Sequence, residues 1–269
     1  MAATGNQTQK KYPLEGEEEV DRLANQHEVI KDALNGALVV APIDLLTTPL
    51  RILDSATADG PGLLHIGTWI RDLAASTAPI QHQFVGTDID PTPFPTVAPP
   101  GQSYRAQDIN KPWPEEWKDS FDLVHQRLAL AVAGPAQQQV VNTLSALVKP
   151  GGWIQLIEAT NVLPDEDGPA MHNLVKVIKG AFSAFGGSLE LARELPGWLK
   201  EAGLGRQGVH ATTVAAKGLS EFAKTLPAGT VDLPAEKIES LSDDLKQELM
   251  EIGGHYPLVV VWARKPAAI

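Results

Sequence analysis

The sequence predicts an α/β fold built on a doubly wound, mostly parallel sheet of seven strands. Short apolar runs alternate with helical stretches, which is the pattern of successive β-α-β units. The runs are apolar throughout, as is typical of parallel strands that are buried on both faces. They lie at residues 50–55, 82–90, 121–126, 152–159, 208–214 and 256–265, and "YRAQDI" indicates a further strand before Asp108.

Helical periodicity predicts the elements between these strands. Apolar positions from Glu17 to Leu34 recur at steps of three and four and indicate an amphipathic N-terminal helix. Residues 1–16 are polar, so we expect a flexible N-terminus followed by one domain over residues 17–269. Further helices are predicted at residues 68–76, 136–148, 169–185 and 189–202.

The composition excludes several classes of function. The chain has 269 residues and a formal net charge of −11, which disfavours binding to nucleic acid or to an anionic membrane. It has no cysteine, and its seven histidines show no i, i+4 pair, so we predict no metal site. No apolar run reaches the roughly 18 residues of a membrane span. We expect a cytoplasmic monomer or homodimer that acts on a small molecule.

Acidic side chains follow the first three predicted strands. Asp54, Asp88 and Asp108 should meet at the carboxyl edge of the sheet, where open α/β folds bind their ligands. Three carboxylates suit a ligand with an ammonium group, ribose hydroxyls and an exocyclic amine. The alternative is that aspartate ends strands because it favours turns.

The turn after the first strand is more specific. "DSATADG" has an acid followed by small residues at alternate positions, Asp54, Ala56, Ala58 and Gly60. A dinucleotide-binding turn would contain G-x-G-x-x-G, and this chain has none. Left-handed backbone costs a residue other than glycine roughly 1–2 kcal/mol, so we expect Ala56 and Ala58 to have negative φ.

Seven residues, "PGLLHIG" at 61–67, interrupt this unit. The separation from Gly60 to Asp88 is 28 positions, whereas about 20 usually separate such a turn from the ribose-binding acid. Without the seven residues the separation is 21, and "DSATADG" joins "TWIRDLA" as a strand, a turn and a helix.

Taken together, the motifs resemble one known family. "RLANQHEVIKDAL", "DSATADG" with "TWIRDLA", "VGTDID", "WPEEWKDSFDLVHQRLAL" and "LVKPGGWIQLIE" are similar to class I S-adenosylmethionine-dependent methyltransferases of fungal secondary metabolism. The resemblance covers about residues 17–265. In that family "TW" follows the turn directly, so "PGLLHIG" is a departure beside the methionine half of the cofactor.

The resemblance implies roles for individual residues. The loop with Asp54, Ser55, Ala56 and Gly60 would cradle the methionine part of S-adenosylmethionine. Asp88 would accept hydrogen bonds from the ribose hydroxyls, and Asp108 would accept one from the adenine amine. The remaining residues that we assign to the cofactor by resemblance are Ile89, Ile109, His125, Gln126, Gln26 and His27. The resemblance also implies that the N-terminal helix, which carries Gln26 and His27, lies over the cofactor cleft.

Two residues are candidates for catalysis. His125 should lie near the sulfonium methyl, either as a general base or as part of the pocket wall, and Glu158 is expected to face the cleft and meet the substrate. The function implied is methyl transfer to a nitrogen or oxygen atom of a fungal secondary metabolite. The alternative is that residues 61–67 have ended methyl transfer, leaving a cyclase or pericyclase, a binding module or a partner subunit. A further alternative is that this segment is an untranslated stretch read in frame.

Overall fold

The structure is a computed structural model that describes residues 17–57, 68–188, 190–213, 226 and 229–268. The N-terminus predicted to be flexible, at residues 1–16, lies outside these ranges. So do Ala58, Gly60 and the segment 61–67.

All seven strands form one sheet in the order β3-β2-β1-β4-β5-β7-β6. Strand β7 runs antiparallel to both of its neighbours, and the other pairs are parallel. The predicted seven-stranded, mostly parallel sheet is therefore confirmed. The strands are β1 (Arg51–Ser55), β2 (Gln83–Asp88), β3 (Gln102–Ala106), β4 (Phe121–Arg127), β5 (Val148–Ala159), β6 (Gly205–Thr213) and β7 (Pro257–Arg264).

The helices lie on both faces of the sheet, as a doubly wound fold requires. Their bounds follow the predicted periodicity closely, and the helix expected at residues 68–76 has those limits. They are α1 (Glu17–Ala33), α2 (Thr68–Ser76), α3 (Gln137–Leu147), α4 (Pro169–Phe185), α5 (Leu191–Glu201), α6 (Ala235–Glu239) and α7 (Leu241–Glu251), with 3₁₀ turns at Glu115–Trp117 and Leu130–Ala136.

Side chains alternate between the two faces along each strand. Leu53, Val124 and Leu156 pack with α3 and α5 on one side, which we call the α3 face. Ile52 and Leu123 pack with α2 on the other side, which we call the α2 face. Because the faces alternate, neighbouring residues at a strand end project to opposite sides of the sheet.

The strand order reverses between β1 and β4, since the chain proceeds outward from β1 to β3 and then returns to β4. Such a reversal opens a crevice at the carboxyl ends of the two central strands. The register brings Asp54 opposite His125 and Ser55 opposite Gln126 at this point. Within the ranges that the structure describes, no helix is both long and apolar enough to cross a membrane.

Candidate active site

The centre of the crevice is a hydrogen-bonded pair between β1 and β4. His125 Nδ1 lies 2.8 Å from Asp54 Oδ1, and both side chains are almost fully buried. Thr57 donates its hydroxyl to the other carboxylate oxygen at 2.7 Å. Asp54 thus uses both oxygens to fix its neighbours on the α2 face.

An indole covers this pair. The Trp69 ring stacks on His125 with 3.9 Å between centroids and 1° between planes, and Trp69 Nε1 donates to the Leu38 carbonyl at 3.1 Å. Burial lowers the pKa of His125, although the bond to Asp54 acts in the opposite direction. The imidazole is therefore neutral at pH 7, and we infer that Nδ1 carries the proton donated to Asp54.

Three buried polar atoms at these strand ends have no hydrogen-bond partner in the part of the chain that the structure describes. They are His125 Nε2, Gln126 Oε1 and Thr87 Oγ1. Thr87, Ser55 and Gln126 stand side by side across β2, β1 and β4, and Gln126 Nε2 donates to Ser55 Oγ at 2.9 Å. Buried polar groups are normally paired, so atoms left without a donor at a cleft are suited to a ligand.

The turn after β1 differs from the expectation for Ala56. Its φ is +54°, in the left-handed region, whereas a negative value was predicted. The chain turns sharply here, and the next residue, Thr57, donates its N–H to the Thr87 carbonyl at 2.8 Å. That bond ties the turn to β2 and helps to offset the strain.

The predicted adenosine-binding acids come to the same edge of the sheet. Asp88 ends β2 and is half-buried, and the N–H of Gln107 donates to its carbonyl at 2.7 Å. Asp108 and Ile109 follow β3 and are also half-buried, whereas Ile89 is exposed. The fold therefore brings together these acids and the Asp54–His125 pair at one edge.

Glu158 was expected to face an open cleft, but it does not. Its side chain is buried, and Oε1 accepts backbone N–H bonds from Ala129 at 3.1 Å and Leu130 at 2.9 Å. Burial raises the pKa of Glu158 to about 7, although these two bonds act to lower it. Because Glu158 is two residues after Leu156 on β5, it projects from the same α3 face, opposite to His125. A contact between Glu158 and substrate stays a prediction.

The two residues predicted on α1 differ in their surroundings. His27 is fully buried, with Nε2 at 3.2 Å from Asp72 Oδ2 and Nδ1 at 3.2 Å from Arg127 Nη1. Gln26 is half-buried. Both ring nitrogens of His27 bind protein groups, so a hydrogen bond to cofactor would have to replace one of these bonds.

One group of side chains on α1 and α2 has the composition of a cation site. Ligand atoms of His27, Glu28 and Asp72 lie within 4.8 Å of one another. However, Lys31 Nζ donates to Asp72 Oδ2 at 2.8 Å. An ammonium bound to the same carboxylate oxygen competes with a metal ion, and we assign no metal to this group.

Sequence reasoning missed three residues that build the site. Trp69 and Asp72 lie one turn apart on α2, and Arg127 follows the predicted pair His125 and Gln126 directly. The i, i+3 spacing on α2 placed Trp69 and Asp72 on one side of that helix. No pattern in the sequence indicated which strand that side would contact.

No family model matches the chain. It is similar to "N-methyltransferase sirN" of Leptosphaeria maculans, with 34% identity over 270 residues that span 91% of each protein. It is also 32% identical over 283 residues to "N-methyltransferase gliN" of Aspergillus fumigatus, spanning 95% of this chain and 96% of that protein.

Solved structures share the fold at low identity. A phosphoethanolamine N-methyltransferase 2 of Haemonchus contortus, in complex with S-adenosyl-L-methionine, matches with a TM-score of 0.54 and 15% identity over 90% of this chain. The chain spans about half the length of that protein, 52%. The [4+2]-cyclase SpnF matches with a TM-score of 0.52 and 15% identity, covering 97% of this chain and 86% of that one. The fold alone therefore does not fix the reaction.

Proposed function

The chain belongs to the fungal methyltransferase family of these relatives, and from that premise we propose how it works. It transfers a methyl group from S-adenosylmethionine to a nitrogen or oxygen atom of a small molecule of fungal secondary metabolism. The observation that carries the proposal is the set of buried polar atoms on β2 and β4 that have no partner among the described residues, beside the half-buried acids Asp88 and Asp108.

The side chains at this edge fit such a cofactor. His125 Nε2 and Gln126 Oε1 are buried acceptors without donors in the part of the chain that is described, and the cofactor has an ammonium group, hydroxyls and an amine to donate. The left-handed turn at Ala56 has only a methyl side chain, which leaves room for close approach of a ligand to the backbone.

We assign the binding roles by strand. Ser55, Ala56 and Gly60 hold the methionine part, and Asp88 holds the ribose. Asp108 accepts from the adenine amine, with apolar contacts from Ile89 and Ile109. Gln26 closes the site from α1. The bound cofactor supplies a methyl group that its sulfonium already activates for displacement.

In this mechanism His125 orients the bound ligands through Nε2 and does not act as a general base. Trp69 and Asp54 hold its ring on two sides, so Nε2 keeps a fixed direction as an acceptor. Holding two reacting groups in register supplies about 7–11 kcal/mol in favourable cases, so the transfer does not depend on a strong base. Glu158 fixes the backbone at Ala129 and Leu130 beneath the same edge.

Thermal unfolding with and without cofactor tests the proposal. The intact chain and a chain without residues 61–67 are melted with S-adenosylmethionine, S-adenosylhomocysteine and, as a control ligand, NADH. A ligand at 100 times its dissociation constant stabilises the folded state by ~2.7 kcal/mol. We expect both adenosyl ligands, and not NADH, to raise the melting temperature of both chains.

Two other outcomes are informative. A shift in the shortened chain alone means that residues 61–67 close the cofactor site, and the proposed reaction is then wrong for the intact chain. No shift in either chain contradicts the proposal altogether.

A further inference from the structure

One buried imidazole on helix α1 contacts two other elements of the site. His27 is 0% exposed, and its two ring nitrogens contact different elements. Nε2 lies 3.2 Å from Asp72 Oδ2 on α2, and Nδ1 lies 3.2 Å from Arg127 Nη1 on β4. His27 thus contacts both α2 and the carboxyl end of β4, and Lys31 adds a second bond from α1 to Asp72 at 2.8 Å.

The two partners determine where the proton of this imidazole lies. A guanidinium only donates, so Nδ1 must accept with its lone pair. A carboxylate only accepts, so Nε2 must carry the hydrogen. Partial burial alone would raise the pKa of Asp72, but hydrogen bonds from Lys31, His27 and Arg71 lower it to about 2, and it is ionised at any pH of interest. Both contacts together therefore require the neutral imidazole.

These contacts attach α1 to the same two elements that hold His125. Trp69, which stacks on His125, is one turn before Asp72 on α2. Arg127 is two residues after His125 on β4. The stack joins α2 to β4, and His27 joins α1 to both, so the position of α1 is coupled to the geometry of the Asp54–His125 pair.

We propose that neutral His27 is a proton-sensitive latch that holds α1 closed over the carboxyl edge of the sheet, and that protonation of Nδ1 releases it. The proposal rests on the proposed function in one respect, namely that the closed edge retains S-adenosylmethionine. Its consequence is a cofactor affinity that falls as the solution becomes acidic. His27 is accordingly a positioning residue, since it acts through Arg127 and Asp72.

The charges around His27 favour release of α1 when Nδ1 is protonated. If Nδ1 were protonated, it would become a donor facing the Arg127 guanidinium, which is also a donor. The hydrogen bond between them would be lost, and two positive charges would lie side by side. The favourable partner Asp72 is already bound by Lys31 at 2.8 Å and by Arg71 at 3.2 Å. Glu28 is the other acid near the ring and is mostly exposed. Burial and Arg127 together lower the pKa of His27, in agreement with this balance.

The conservative variant His27→Gln separates protonation from bonding. A glutamine amide donates through its nitrogen to Asp72 and accepts through its oxygen from Arg127, but it does not titrate. The dissociation constant of S-adenosylhomocysteine is measured by calorimetry from pH 7.5 to 5.0. We expect it to rise about 10- to 30-fold for the wild type, within the limit of tenfold per pH unit below the ordinary pKa of histidine.

In His27→Gln the rise in the dissociation constant of S-adenosylhomocysteine between pH 7.5 and 5.0 should be at least threefold smaller than in the wild type. His125 remains in both proteins, so the difference between the two profiles isolates His27. Equal profiles for the wild type and His27→Gln would overturn the latch.

Arg127→Gln provides a second variant should His27→Gln fail to fold. It keeps a donor for Nδ1 and removes the positive charge, so acid should weaken binding less than in the wild type. A profile as steep as that of the wild type would contradict the proposal.

Hydrogen exchange of α1 amides without ligand distinguishes the latch from the proposed function. We expect the wild type, and not His27→Gln, to lose protection over residues 23–33 at pH 5.0, after correction for intrinsic exchange rates. If S-adenosylhomocysteine binds no variant but α1 opens in this way, the latch stands and the proposed function fails. If α1 protection is equal in both proteins at both pH values, the latch is wrong.

Discussion

Two of the aspartate–histidine pairs in the described part of the chain have the same hydrogen-bond length but different surroundings. His125 Nδ1 lies 2.8 Å from Asp54, and His255 Nδ1 lies 2.8 Å from Asp167. The His125 side chain is 1% exposed beneath Trp69, whereas that of His255 is 51% exposed. The first pair joins two central strands, and the second joins the loop before α4 to the loop before β7.

The comparison shows that the hydrogen bond alone does not mark a functional site. Asp167 also accepts the backbone N–H of His255 at 3.1 Å, so the second pair serves to connect two loops. In the first pair, burial and the stacked indole hold the imidazole neutral and immobile. Among the residues that the structure describes, the first pair leaves an imidazole nitrogen, His125 Nε2, without a hydrogen-bond partner, whereas the second pair leaves a carboxylate oxygen, Asp167 Oδ2.

The largest difference is expected when each imidazole is removed. His125→Ala should lower the free energy of unfolding by about 3–5 kcal/mol, because it leaves a cavity under Trp69 and removes the donor to a buried carboxylate. The matched variant His255→Ala should cost at most about 1 kcal/mol, since its ring is half exposed. Urea denaturation measures both, and equal losses would contradict the distinction.

Trp69 is predicted to account for a smaller part of that difference. Trp69→Leu should cost about 2–3 kcal/mol through the lost stack and the lost bond to Leu38. Trp69→Phe keeps an aromatic ring over His125 and should cost about 1 kcal/mol less. If the two variants unfold at the same urea concentration, stacking contributes nothing measurable.

The pH dependence of stability follows from the burial of His125. Its pKa in the folded protein is below the ordinary value of 6.5, so the unfolded chain takes up a proton first as the pH falls. The contribution of neutral His125 to the free energy of unfolding is therefore complete above about pH 7.5. It is lost as the pH falls through 6.5 toward the pKa of His125 in the folded protein, by at most about 1.4 kcal/mol per pH unit.

Urea denaturation between pH 8 and pH 5 measures this slope. His125→Gln should reduce it. An unchanged slope in His125→Gln would mean that His125 takes up its proton as readily in the folded state as in the unfolded chain, and would contradict this account.

The smallest effect is expected when the Asp167–His255 pair is changed and the affinity for cofactor is measured. Asp167→Asn keeps an oxygen for the His255 N–H groups, and Asp167 belongs to the loop between β5 and α4 rather than to β1 or β4. The dissociation constant of S-adenosylhomocysteine should change by less than about twofold, or about 0.4 kcal/mol. A tenfold loss would show that the second pair belongs to the binding site.

Much of the fold was predictable because the strands and helices have distinct periods. The family and the methyl-transfer class predicted from the motifs are confirmed by the relatives. The meeting of Asp54, Asp88 and Asp108 at one edge was also predictable, because neighbouring parallel strands end together, whereas the bond between Asp54 and His125 was not predicted.

The details of the site depended on tertiary packing. The positive φ of Ala56 is accompanied by the bond from Thr57 to β2, which no local propensity encodes. Alternation within β5 was visible in the sequence, but the face of the sheet to which Glu158 belongs was not. The burial of His27 likewise depends on partners 45 and 100 positions away in sequence.

Calorimetric titration of the intact chain with S-adenosylhomocysteine at pH 7.5 tests the central claim most directly. We predict one-to-one binding in the wild type and binding at least about tenfold weaker in Asp88→Ala, which loses the acceptor for the ribose. Asp119→Ala, at the opposite end of β4 and paired with Lys265, should bind as the wild type does. Absence of binding to the intact chain, or equal affinity in Asp88→Ala, would contradict the account.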